Sequence, residues 1–456
     1  MDRSRPIPYE HAMTSPRSIG LLPAVALIIG NMVGTSIYVS LGFQVAAGHG
    51  GWSILLLWTV GAGIALLGAL SYAELAAMFP QSGGEYQFLR QVYPPRVGFL
   101  SGWIALVAGF PAPLALGSLA FGQYFLGSVE NRVSQENDWR VRGLAVGILL
   151  VVTLVHCFNL QRSSRFQGLF TLLKILLLLV LGIGGFVVTP TQAPVSWEVV
   201  PSSSWSWEQA TMLFVSLYYV LYAYAGWNSA CYISGEIHEP RKNVPRALVL
   251  GVGVVFALYL LVMASFLRAT PAAALAGSEL AAALVAAQHI FGPQGARLIS
   301  ACISVALVSF LSGMVWSGPR VAQRMGEDYR FLKPLARTNA HGIPLTAILL
   351  QSGIALAFLL LFDDPGKLML YVEFLLQVSI FLTVLGMLIL RHKRPDLPRP
   401  VRTWGYPVTP VVFLIWIALC MSFLLQSHRQ EVMQGLATLL AGMLVHLLCE
   451  MEQKSA

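Results

Sequence analysis

Two stretches of glycine, small and aromatic residues interrupt long apolar runs. Gly30-Asn31-Met32-Val33-Gly34-Thr35-Ser36 breaks residues 18–47, and Tyr222-Ala223-Tyr224-Ala225-Gly226-Trp227-Asn228 breaks residues 209–237. A helix interrupted at mid-membrane depth exposes backbone groups that hydrocarbon cannot satisfy, so such breaks are tolerated where they line a cavity. Where the first run restarts, free N–H groups from Val33 through Gly34, Thr35 and Ser36 to Ile37 combine with roughly half a positive charge at the helix start. Where the second run stops, the carbonyls of Tyr222, Ala223 and Ala225, next to Gly226, lose their helical donors and carry the opposite partial charge. One end suits an anion, the other a cation. Glycines that merely permit packing or a kink explain a single break equally well; two at corresponding positions favour a binding site at a repeat interface.

Single ionisable residues add to this. Lys174 stands about nine residues into a run that starts near Arg165, roughly 13 Å deep at 1.5 Å per residue. An ammonium there is disfavoured by about 2.5 to 3.5 kcal/mol, which marks either a functional position or a structural tie. Glu373 has Gln377 four residues on, on the same helix face, near the outer end of its run. It either faces an outer vestibule, attracting cations or relaying protons, or is solvated at a helix end. Glu74, Glu85, Glu236, Glu239 and Arg320 fall at inner helix ends, as ion pairs of a gate or as solvated charges, and His156 reads as a packing residue.

The elements that must hold these residues follow from composition. Of 456 residues 56% are hydrophobic and 11% charged, and about twelve runs are long enough to cross a hydrocarbon core. They begin near residues 18, 52, 84, 143, 166, 209, 246, 294, 344, 368, 408 and 431. The net charge of +8 is topological: most Lys and Arg fall on one side, whereas Arg132, Arg140, Arg142, Arg268, Arg297, Lys367 and Arg429 fall on the other. This places both termini in the cytoplasm, excludes a polyanion footprint, and leaves no role for nucleic acid. The first run lacks a signal-peptide cleavage site and reads as a retained helix. Five cysteines, all inside runs and without a CxxC pair, predict neither disulfides nor a metal centre, and no motif asks for a cofactor.

An odd number of spans separates the two broken runs, so residues 18–189 and 209–392 have opposite orientation, as in an inverted repeat. Residues 1–17 form an inner tail, 393–407 an inner linker, 408–450 two additional helices and 451–456 a second tail. The linker belongs to RHKRPDLPRPVRTWGYP, read as an extended basic connector lying on the anionic leaflet. Small residues on helix faces, Gly61, Ala65 and Gly68 or Gly182 and Gly185, predict close helix contacts.

The ordered set IIGNMVGTSIYVS, SYAELAAMFPQSGGEYQFLRQVYPPRVGFLSGW, RFQGLFTLLKILLLLVLGIGG, YAYAGWNSACYISGEIHEPRKNVPRAL and RTWGYP resembles the amino acid-polyamine-organocation (APC) superfamily, and within it bacterial relatives of L-type amino acid transporters. The resemblance covers most of the chain. It implies an all-α integral membrane protein with a LeuT-like 5+5 inverted repeat plus two C-terminal helices, alternating access, and sodium-independent movement of amino acids. Under it the positive end at residues 33–37 holds the substrate carboxylate and the negative end at Tyr222, Ala223 and Ala225 the ammonium. Tyr222 takes the position of an aromatic gate and Asn228 that of a polar neighbour. Lys174, in its FTxxK setting, replaces a sodium ion and links spans one, five and eight, with Ser309 or Ser312 as partners. Ser36 departs from the family's second glycine and so tightens the groove or adds a hydroxyl. The outer loop 127–142 has no cysteine, so no disulfide-linked helper subunit is expected.

The expected function is a secondary active transporter of L-amino acids with neutral side chains in the cytoplasmic membrane, as exchanger or proton-coupled symporter. A cationic amino acid or polyamine carrier, or an amino acid sensor on the same scaffold, stays open. An enzyme is not expected: there is no HExxH, nucleophile elbow or pair of mid-membrane acids. Nothing here speaks to oligomeric state.

Overall fold

The computed structural model describes residues 18–127, 139–158, 160–188, 195–197, 207–276, 282–362 and 364–454. The tail expected over 1–17, most of the loops 127–142 and 189–208, and the last two residues lie outside the described residues. In chain order the helices are α1 (Leu21–Met32), α2 (Ser40–Ala46), α3 (Gly51–Met78), α4 (Gly84–Val92), α5 (Pro95–Ile104) and α6 (Pro111–Phe125). They continue with α7 (Trp139–His156), α8 (Leu160–Val187), α9 (Trp207–Tyr224), α10 (Ser229–Tyr232), α11 (Pro240–Ala269) and α12 (Ala272–Ala276). The last five are α13 (Ala282–Asp328), α14 (Leu345–Leu361), α15 (Pro365–Lys393), α16 (Val408–Ser427) and α17 (Arg429–Lys454). Among the described residues there is no named strand; a single bridge between Ile19 and Ile237 ties the approach to α1 to the exit from α10.

The fold is an all-α multi-span membrane fold. Nine helices among the described residues are long and apolar enough to cross a membrane, ten if α1 and the segment Ser36–Ala46, bent by 51° at the break, are counted as one span. Apolar side chains all round these helices leave them buried or lipid-facing rather than amphipathic. Proline opens α5, α6, α11 and α15, where its missing N–H costs no hydrogen bond. Between α5 and α6 the chain takes one π-helical turn, Ala105–Gly109, and α13 is bent at Gly292.

Packing occurs in matched sets. α1 packs on α11 and α9 on α3; α6 packs on α7 and α13 on α14; α13 also packs on α7 and α6 on α14. Small residues carry several of the close approaches: a Cβ on Gly61 would stand 2.5 Å from Val220, one on Gly182 2.6 Å from Leu261, and one on Gly185 2.4 Å from the Ser265 carbonyl.

The linker differs from the extended connector expected of it. α15 continues to Lys393, and the chain then folds back over the helix end. The Arg399 guanidinium donates to the carbonyls of Leu390 (3.4 Å) and Arg394 (2.9 Å), capping α15. Glu74, fully buried at the end of α3, accepts from Arg391 Nε (2.8 Å) and Nη2 and from the Thr403 N–H (2.8 Å) and hydroxyl (2.9 Å); Arg399 Nε lies 3.4 Å away. The buried Glu74 carboxylate thus gathers Arg391 from the end of α15 and Arg399 from the linker, whereas Lys393 and Arg402 stay exposed.

Candidate substrate site

The two breaks face each other. In the first, the Gly34 N–H turns back to the Met32 carbonyl (2.9 Å) instead of reaching Gly30, and helix resumes as a short 3₁₀ turn at Ser36–Tyr38. The N–H groups of Thr35, Ser36 and Ile37 thus belong to the cap and first residues of a new helical start, where N–H groups lack a helical carbonyl behind them. In the second, α9 stops at Tyr224, and Gly226 takes φ +94°, a conformation that favours glycine. A Cβ there would stand 3.0 Å from the Asn31 carbonyl oxygen, so the breaks approach to backbone contact. Tyr259 of α11 joins them: its hydroxyl lies 3.0 Å from the Met32 carbonyl and 2.9 Å from that of Ala223, and its single proton serves either.

Between the breaks lies a cavity of about 190 Å³. Gly34, Thr35 and Ser36 line it from one break, and Tyr222, Ala225, Gly226 and Asn228 from the other. Glu373 and Gln377 also line it, with Gln377 donating to Glu373 at 2.9 Å. Ile64, Ile104, Phe310, Met314, Leu376 and Phe413 give it a largely apolar wall, and among the described residues no Lys, Arg or His belongs to that wall. α16 supplies Phe413, Trp416, Ile417 and Cys420.

Three of the expected substrate contacts stand behind this wall. Val33, Ile37 and Ala223 are fully buried and do not line the cavity. The carbonyl of Ala223, expected to face an ammonium, meets Tyr259 instead, and the Val33 carbonyl meets Lys174. Broken helix ends thus divide their freed groups between the cavity and the surrounding protein.

Lys174 is fully buried and donates to the Gly30 carbonyl (2.9 Å) and to that of Val33. These are carbonyls at the end of α1, so the ammonium takes the place of N–H groups that the break withdrew. Gln167, Thr171 and Lys174 form one polar stripe on α8 facing α1: the Thr171 hydroxyl donates to the Ala26 carbonyl (3.1 Å), and a Cβ on Gly30 would collide with Gln167. The expected link from Lys174 to span eight through Ser309 or Ser312 is corrected. Ser309 donates to Ala306 of its own helix (3.0 Å), as helical serines commonly do, and Ser312 pairs with His156 at 2.9 Å. His156 is therefore a packing residue with a specific partner.

The inner-end acids separate into different environments. Glu236 forms a buried ion pair with Arg320 (2.7 Å) and accepts from Trp316 (2.9 Å), whereas Glu239 makes only an exposed 3.6 Å pair with Lys242. Glu85 lines the cavity, buried, and accepts from the Tyr72 hydroxyl (3.0 Å) and the Asn228 amide. Sequence reasoning missed this place for Glu85, and also Tyr259. The Ser82-Gly83-Gly84 run before Glu85 was the available signal for close packing, whereas nothing in sequence sets Tyr259 apart from other helical tyrosines.

Comparison with known proteins gives the family. The amino acid permease family model matches residues 19–446. Human large neutral amino acids transporter small subunit 2 is 30% identical over 438 residues, covering 95% of this chain and 80% of its own. Mouse Asc-type amino acid transporter 1 is 29% identical over 446 residues, covering 95% and 81%, and human b(0,+)-type amino acid transporter 1 is 25% identical over 441 residues, covering 95% and 88%. With a cavity between two broken helices and a match along nearly its whole length, the chain belongs to the amino acid permease family of the APC superfamily.

Proposed function

We propose that this permease carries L-amino acids with neutral side chains across the cytoplasmic membrane by alternating access, without sodium, as an exchanger or proton-coupled symporter. The observation that carries the reading is the cavity itself: a helix start on one side, a helix end on the other, and an apolar wall without a basic residue. The N–H groups at Thr35 and Ser36 suit a carboxylate, and the backbone at Tyr222 and Ala225 with the Asn228 amide suits an ammonium. The remaining apolar wall suits a side chain without charge. Lys174, bonded to α1, supplies positive charge beside the first break where a sodium-coupled relative would need an ion.

In this reading residues 18–189 and 209–392 are the two repeats, both termini are cytoplasmic, and no disulfide-linked helper is required, since residues 127–142 contain no cysteine. A carrier of cationic amino acids is the second reading; Glu85 and Glu373 in the wall are what favour it. The deciding experiment is uptake of labelled amino acids by purified protein in liposomes, with sodium, pH and internal amino acid varied separately. Neutral amino acids should enter without sodium, faster with amino acid inside or with a proton gradient. Strict sodium dependence overturns the role of Lys174, uptake confined to arginine or lysine selects the second reading, and binding without uptake indicates a sensor.

A further inference from the structure

Asn228 presents a carboxamide to the cavity, and its two ends are chemically opposite: the NH₂ only donates, the oxygen only accepts. Which end faces a substrate depends on what holds the other. The Nδ2 donates both to Glu85 Oε1 and to the Tyr232 hydroxyl (3.2 Å), so both of its hydrogens are engaged by protein groups that themselves border the cavity. The Glu85 carboxyl also accepts from the Tyr72 hydroxyl (3.0 Å), and an acceptor pairs with the NH₂ end of the amide rather than with its oxygen. The Oδ1 is left as the free end.

Glu85 is itself held. The Tyr72 hydroxyl donates to it at 3.0 Å. The start of α4 is fastened to the segment that carries Asn228: the Gly83 N–H donates to the Tyr232 carbonyl (3.1 Å), and the Gly235 N–H donates to Ser82 Oγ (2.9 Å). Gly84 lies so close beneath the Tyr232 ring that a Cβ would stand 2.3 Å from it. Ser82-Gly83-Gly84 thus sets Glu85 against the second break from behind.

We propose that Glu85 is a positioning residue for the substrate's amino group: by accepting from Asn228 Nδ2 it fixes the amide with Oδ1 toward the cavity, where it accepts a hydrogen bond from the ammonium. The inference rests on the amino acid carrier reading and extends it to one group of the substrate. Glu85 acts through the amide and the substrate carboxylate lies at the other break, so its effect is specific to the amino group.

The test is equilibrium binding to purified protein in detergent, followed by intrinsic tryptophan fluorescence, with L-leucine and its 2-hydroxy analogue, which keeps the carboxylate and side chain but lacks the ammonium. In Glu85→Ala, L-leucine should weaken by about tenfold or more while the 2-hydroxy analogue changes by less than about twofold. Glu85→Gln should recover most of the loss, because its carboxamide oxygen still accepts from Asn228, and its behaviour counts even if the alanine variant is too unstable to purify. Equal weakening of both ligands in Glu85→Ala overturns the proposal in favour of general structural damage. Equal loss of L-leucine binding in the Gln and Ala variants overturns it in favour of direct attraction by the carboxylate charge. Wild-type protein that binds no amino acid of the uptake panel removes the carrier reading itself, and this inference with it.

Discussion

At the scale of single residues, Lys174 shows how a costly buried group is held by carbonyls that a helix break sets free. Its depth was readable in the sequence, because nine apolar-run positions separate it from Arg165. Its partners were not, since helix rotation decides whether a side chain faces span one or span eight. The break in α1 decided the outcome: carbonyls that have lost their helical N–H take the ammonium, whereas Ser309 is bonded to its own helix and Ser312 to His156. Replacing Lys174 by Met should leave the Gly30 and Val33 carbonyls buried and unpaired, at about 1 to 3 kcal/mol each. Initial rates of amino acid uptake should fall by roughly tenfold or more, with sodium failing to restore them. A Met variant with wild-type rate and pH profile would show that the ammonium is dispensable to the first break.

The helical elements carry the next level of constraint. That two spans are broken was legible from glycine and small-residue clusters, and so was their pairing. How near the breaks come to each other was not legible, because it depends on the positive φ of Gly226 and on Tyr259 reaching from α11 to both. Gly226→Ala should cost about 1 to 2 kcal/mol from backbone strain alone, and more from contact with the Asn31 carbonyl. Because this strain falls where the two spans meet, the variant should reach the membrane in normal amount and bind amino acid at least about fivefold more weakly. Binding curves of the purified variant, compared with a Gly253→Ala control where a Cβ meets open space, decide the matter.

At the scale of the whole molecule, the linker between α15 and α16 ties parts of the bundle that are distant in sequence. Composition made it look like an extended basic connector on the anionic leaflet; only the three-dimensional position of Glu74, 317 residues from Arg391, reveals that Arg391 at the end of α15 and Arg399 in the linker share a buried partner. Arg391 also covers the Tyr406 ring, its guanidinium carbon 3.8 Å from the centroid, so it joins α3, α15 and the approach to α16 at one point. Removing one member of a buried pair strands the other: Arg391→Met should destabilise by about 3 kcal/mol, the low end of the usual range because Arg399 and Thr403 remain on Glu74. Adding Glu74→Gln to that variant removes the stranded charge, so the double variant should be more stable than Arg391→Met alone, a departure from additivity of about 0.5 to 3 kcal/mol. Thermal unfolding of the detergent-purified proteins gives the order of Tm values directly. If Arg391→Met melts with the wild type, the linker is an independent connector; if the order is wild type, double variant, then Arg391→Met, the buried carboxylate is what holds the last two helices, and with them Phe413 and Trp416 of the cavity wall, against the transport core.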